Sequence, residues 1–146
     1  MRTPKNMKPA VDAIAVVMTI SALASCSESP RWEFTNVGVH QVRVDELFMP
    51  DTIASDEVLT IQLSGSSQFY GQESLSRIDA VRESTEIELT VWAEVEVWTG
   101  SGPAPPFAIG IWHTYQAQPP FDPGDFRVVI NQPDGSQLVE SVLIEP

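Results

Sequence analysis

The sequence predicts an all-β domain, an antiparallel sandwich of about seven strands, set behind an N-terminal signal peptide. Three observations carry this. After Cys26 the dominant hydrophobic period is two, the period of a half-buried strand. Proline, glycine, asparagine and aspartate clusters break the chain at roughly the 8–12-residue spacing of sandwich strands. No segment of useful length after Cys26 repeats its apolar residues at the helical period.

The N-terminus reads as an export signal in three parts. Met1–Lys8 is basic. Ala13–Ser25 is an uncharged, mainly apolar run. Leu23-Ala24-Ser25-Cys26 closes it with small residues. The run is 13 residues long, short of the roughly 20 that a membrane-spanning helix needs. Asp12 bounds it on one side and Glu28 to Arg31 on the other. Residues 1–25 are thus the expected signal peptide, 26–31 a short tether, and 32–146 the folded domain. The Ser25–Cys26 bond is the expected cleavage site. Ala22-Leu23-Ala24 also satisfies an ordinary A-x-A cleavage site. Cut there, the chain would begin at Ser25 as a soluble secreted protein.

Glu86–Trp98 is the clearest strand. Ile87, Leu89, Val91, Ala93, Val95 and Val97 share one face, and four glutamates, Thr90, Trp92 and Trp98 share the other. Val58–Ser64 aligns Leu59, Ile61 and Leu63. Asp125–Asn131 aligns Phe126, Val128 and Ile130, and Leu138–Ile144 alternates more loosely. Gln132-Pro133-Asp134-Gly135 joins the last two as a hairpin turn, because proline presets φ and Gly135 can take positive φ at the exit. Val37–Val44, Ile78–Arg82 and Phe107–Tyr115 are weaker strand candidates. Gly100 to Pro106 and Pro119 to Gly124 are loops, since neither can continue a ladder.

Leu23-Ala24-Ser25-Cys26 resembles the lipobox of bacterial lipoproteins. That resemblance implies a diacylglyceryl group on the Cys26 thiol, cleavage before Cys26, and acylation of the freed amine by a fatty acid such as palmitate. Two or more acyl chains hold stably at a bilayer, whereas one is marginal. Cys26 is the only cysteine, so no intramolecular disulfide can form. By the same resemblance, serine after the cysteine implies the outer membrane of a two-membrane bacterium rather than the inner.

Phe121-Asp122-Pro123-Gly124-Asp125-Phe126, followed by alternating valines, resembles the penultimate strand of immunoglobulin-like and fibronectin-type sandwiches. Those folds usually place a tyrosine where Phe126 stands, and many carry an inter-sheet cysteine pair that this chain lacks. The resemblance implies architecture alone, because sandwiches host unrelated activities. The whole chain also resembles small envelope lipoproteins with an immunoglobulin-like domain and no assigned role.

Charge narrows the function classes. The 146-residue chain carries 8 basic and 20 acidic side chains, a net of −12. Beyond residue 25 there is no lysine; Arg31, Arg43, Arg77, Arg82 and Arg127 stand against 19 acids. Such a surface repels phosphate backbones, so no nucleic-acid partner is expected. It also repels anionic headgroups, so membrane attachment must come from the anchor.

No catalytic set is legible, and the chain is expected not to be an enzyme. Glu86/Glu88 and Glu94/Glu96 are each about 7 Å apart along one strand. They project in parallel, however, and do not flank a bond from opposite sides as glycosidase carboxylates do. A solvated face is the better reading. The acids Asp45, Glu46, Asp56, Glu57, Asp122 and Asp125 match no calcium-loop spacing. His40 and His113 are too few and too separated for zinc. No metal and no cofactor is expected. No nucleophile elbow or phosphate-cradling loop occurs.

The aromatics remain. Trp92 and Trp98 stand on the wet face of the long strand, and Trp112 on the next one. Exposed tryptophans beside acids and amides could stack on sugars or anchor a protein; cross-strand packing is the plainer alternative. The expected function is therefore a lipid-anchored, non-enzymatic envelope interaction or structural module, meeting an envelope protein or a glycan. The competing expectation is a carbohydrate- or small-ligand-binding protein using Trp92, Trp98 and Trp112.

Overall fold

A computed structural model describes residues 33–67, 69, 71–100, 103 and 110–146. The signal segment, Cys26 and the tether lie outside the described residues. So does most of the Gly100–Pro106 loop, together with the start of the Phe107–Tyr115 candidate strand.

The described chain is all-β, with no helix among the described residues. Nine strands form among the described residues: β1 (Phe34–Gln41), β2 (Arg43–Phe48), β3 (Thr52–Ala54), β4 (Leu59–Ser66), β5 (Gly71–Arg82), β6 (Glu86–Trp98), β7 (Ile111–Ala117), β8 (Gly124–Asn131) and β9 (Gln137–Glu145). The two beyond the expected seven have simple origins. Val37–Val44 is not one strand, because the chain crosses from one sheet to the other at the fully buried Val42. β3 has only three residues, too few for alternation to register.

β2, β4 and β7 make a small sheet, with β4 central. The other six strands make a large one. β6 organises the large sheet because a strand has two edges and β6 uses both. β5 covers one edge from Ile87 to Val97. On the other edge, β8 runs parallel beside Glu86–Leu89 and β1 runs antiparallel beside Trp92–Trp98. At the junction, Val42 donates its N–H to the Val91 carbonyl at 2.8 Å. β9 then pairs β8, and β3 closes the far edge parallel to β9. Two pairings are thus parallel, a departure from the antiparallel order expected throughout.

The two sheets bury their alternating faces against each other. Leu59, Ile61, Leu63 and Ile111 come from the small sheet; Ile87, Leu89, Val91, Phe126, Val128, Ile130 and Ile144 come from the large one. Phe121 meets Phe126 edge-on at 5.2 Å and 77°. Phe126 packs but cannot hydrogen-bond. The corner's carbonyls, at Gln118 and Pro120, instead accept from the Arg82 guanidinium, which lies 4.3 Å over the Phe121 ring.

The β8–β9 turn forms as the sequence predicts, with Gly135 at φ 81°. It also fastens the sheets together. Gln132, nearly buried, accepts from the Val44 N–H at 3.0 Å and donates to the Val44 carbonyl at 2.8 Å. One side-chain amide thereby stands in for a strand neighbour along β2. Beside it, Asp134 accepts from Arg43 of β2 at 2.9 Å. The Ser136 hydroxyl and backbone N–H, and then Arg43, hold the Asp134 carboxyl down at about 2.

Candidate functional site

Alternation along each strand fixes which side chains face outward, and the three tryptophans are not brought together. Trp92 lies between the buried Val91 and Ala93 and faces outward from the large sheet. Trp112, next to the buried Ile111, faces outward from the small sheet. The two indoles therefore stand on opposite faces of the sandwich.

Trp92 is held by its neighbours. Its indole N–H donates to Asp79 at 2.8 Å, and the Arg77 guanidinium lies 4.7 Å from its ring. Arg77 also pairs with Asp79 at 3.2 Å. β5 supplies both residues because Arg77 is the cross-strand partner of Trp92 and Asp79 is the next outward position. A cation over one ring face and a carboxylate on the indole nitrogen leave little of Trp92 for a ligand. Trp98, at the end of β6, is half-buried, and its buried indole nitrogen meets no hydrogen-bond partner among the described residues.

Three of the four β6 glutamates on the large outer face are likewise engaged. Glu86 pairs with Arg127 at 3.0 Å, Glu88 accepts from Asn131 at 3.5 Å, and Glu94 accepts from Asn36. Glu94 and Glu96 flank a shallow groove of about 230 Å³ with Gln72, Glu73 and Ser74. Parallel projection from one strand keeps these carboxylates from converging on a substrate atom. Asp45 and Glu46 lie in β2 and not in a loop, with Asp45 meeting Arg43 at 3.6 Å, and Glu57 caps the Ala54 N–H at 3.4 Å. No group of three or more metal-ligating side chains converges among the described residues. His40 packs its ring on Phe69 at 4.6 Å.

The small outer face differs in kind. Trp112 is 64% exposed and Phe48 is 48% exposed. They straddle β4, Phe48 opposite Gln62 and Trp112 opposite Ser64, with ring centroids 6.0 Å apart and planes tilted 32°. Around them lie the outward positions Thr60, Gln62, Ser64, Thr114 and Gln116. None of these five makes a side-chain hydrogen bond among the described residues. The charged side chain on these rungs is Glu46, opposite Ser64. Phe48, Met49, Pro50, Thr60 and Gln62 line a shallow cavity of about 250 Å³. That is below the 300–1,000 Å³ typical of enclosing small-molecule pockets, so the face suits a ligand that lies on it rather than in it.

The families, the curated proteins and the solved structures compared with this chain contain no match.

Phe48 and Gln62 are the residues that sequence reasoning missed. A bulge between Val44 and Glu46 shifts the phase of β2. Val44 and Leu47 therefore both point inward though three residues apart, and Leu47-Phe48-Met49 reads as a featureless apolar run. The usable signal was the neutrality of the strand Leu59 to Ser66 beside an exposed aromatic.

Proposed function

We propose that this protein is a non-enzymatic binding module of a bacterial cell envelope. Residues 1–25 are removed, Cys26 carries the lipid, and residues 27–31 tether the sandwich within about 18 Å of the bilayer. Serine after Cys26 favours the outer membrane. The observation that carries the binding role is the small outer face, where exposed Phe48 and Trp112 stand among unengaged neutral side chains on an otherwise acidic chain. The non-enzymatic reading draws support from the pairing of the outer-face acids with Arg127, Asn131 and Asn36, an arrangement that serves the sheet. We also read the sandwich as immunoglobulin-like in the broad sense, on the Pro-Gly entry to β8 and the β8–β9 hairpin. The parallel β6–β8 pairing sets it apart from the all-antiparallel scheme.

Intact-mass measurement of the mature protein and membrane fractionation test the placement. A diacylated or triacylated N-terminal cysteine, and release of Cys26→Ser into the soluble fraction, are expected. An unmodified chain beginning at Ser25 would replace this reading with a freely secreted protein.

A further inference from the structure

We infer that the outer face of the β2-β4-β7 sheet is a platform for an uncharged glycan chain, with Trp112 and Phe48 as its stacking surface and Gln62, Gln116, Thr60 and Thr114 as its hydrogen-bonding groups. The inference deepens the binding-module reading and rests on it.

The chemistry of the face selects the ligand. A pyranose ring has an apolar C–H face and a rim of hydroxyls. C–H groups meet aromatic faces favourably, and Trp112 and Phe48, with centroids 6.0 Å apart, offer neighbouring aromatic surfaces on one side of the sheet. Hydroxyls need partners that both donate and accept. Amide side chains do both, as do threonine hydroxyls. Gln62 and Thr114 share one rung of the β4–β7 ladder, and Thr60 and Gln116 share the next on that face. Polar groups therefore lie in register along the strands beside the aromatic pair.

Charge excludes the competing ligands. The chain carries a net −12, yet the rungs holding Phe48 and Trp112 carry only Glu46. The arginine on the adjoining outward rung, Arg43 opposite Ser66, is already paired with Asp45 and Asp134, which leaves an anionic polymer no free cation on these rungs, and a cationic polymer would be drawn instead to the acids of the opposite face. A bilayer-seeking surface would present aliphatic groups with a basic rim; here the rim is glutamine and threonine. The amides matter equally for a protein partner, since burying five unengaged polar side chains without matching each one is costly. A flexible polyhydroxylated chain matches them readily.

The test uses the full-length protein in a non-glycosidic detergent, titrated calorimetrically with linear cellulose-, amylose-, mannan- and chitin-type oligosaccharides. At least one class is expected to bind, with affinity insensitive to salt. Trp112→Ala and Phe48→Ala should each weaken it about tenfold or more, as loss of a central aromatic anchor does. Trp112→Phe should retain most of it, and Trp92→Phe on the opposite face should leave it unchanged. Unaltered melting of Trp112→Ala certifies its fold. No binding by any of the four classes overturns the inference, as does binding that survives Trp112→Ala. If no oligosaccharide binds but the protein self-associates and Trp112→Ala abolishes that association, the glycan assignment falls and the binding-module reading stands. If none of these interactions is found, both fall.

Discussion

The two outer faces of this sandwich are built from the same alternating pattern and reach opposite results. On the large sheet, polar side chains find each other: Trp92 bonds Asp79, Gln41 bonds the Asn131 carbonyl, Gln137 bonds the Asn131 side chain, and Glu86 pairs with Arg127. The exposed apolar residues on its strands are aliphatics: Val37, Val39, Val81, Val139 and Leu143. On the small sheet, the side chains of Thr60, Gln62, Ser64, Thr114 and Gln116 meet no hydrogen-bond partner among the described residues, and the exposed apolar groups include two aromatic rings near each other. Satisfied polar groups stabilise a fold, whereas unengaged ones beside aromatics are available to a ligand. Exposure alone does not make that distinction; what each side chain already touches does.

The largest expected effect removes the support common to both faces. Phe126 is 1% exposed between the sheets, and Phe126→Ala should cost roughly 3–5 kcal/mol through lost burial and a residual cavity. Urea denaturation should show the loss, with both faces melting together. Separate transitions would mean that the faces do not share one core.

Next comes the join between the sheets. Gln132→Ala leaves both polar groups of Val44 without their partner, at roughly 1–3 kcal/mol per group if they stay buried. Amide exchange at Val44 should accelerate far more than exchange at Leu63. Uniform acceleration would show that Gln132 supports the whole fold and not β2 in particular.

The tryptophans separate the faces most directly. Trp92→Phe removes the bond to Asp79 and should cost about 1 kcal/mol. Trp112→Ala, on an exposed ring, should stay within about 0.5 kcal/mol of the parent. Equal losses by thermal melting would erase the contrast.

The smallest effect is in the turn. Asp134 has its folded pKa lowered from 3.8 to about 2. Its contribution is therefore present above pH 3.8 and is lost as the pH falls through about 2. Carbon chemical shifts should place the titration near 2 in the parent and nearer the ordinary aspartate value in Ser136→Ala. An unmoved midpoint would remove Ser136 as the main cause.

How much was legible in the sequence follows from the bulges. β6 matches its expected range of Glu86–Trp98, β8 adds only Gly124, and β9 and β4 differ by a residue or two at their ends. Where β4 and β6 meet a bulge, the inserted residue lies on the partner strand, and β8 and β9 pair without a register shift, so these four keep their own period of two. β1, β2 and β5 each contain a register shift, and these are the strands that were shortened or merged. In β5, Leu75 and Ile78 both face inward, paired with Ala93 and Val91, because the bulge between Leu75 and Arg77 inserts a residue. Simple alternation therefore detects only Ile78–Arg82 of a 12-residue strand. The candidate site suffered likewise. Trp112 was visible from its type and strand, but its partner Phe48 lies beyond a bulge, 64 positions earlier on a strand that meets it through β4. The engagement of Trp92 by Arg77 and Asp79 was hidden for the same reason, since their register depends on the β5 bulge.

The central claim is that the small face binds and the large face does not. Indole N–H resonances of the isotope-labelled protein, followed during titration with the oligosaccharide class that binds, test it in one experiment. The Trp112 signal should shift progressively to saturation while the Trp92 signal stays still. A shift of Trp92 with Trp112 unmoved would put the ligand on the wrong side of the molecule and contradict the account.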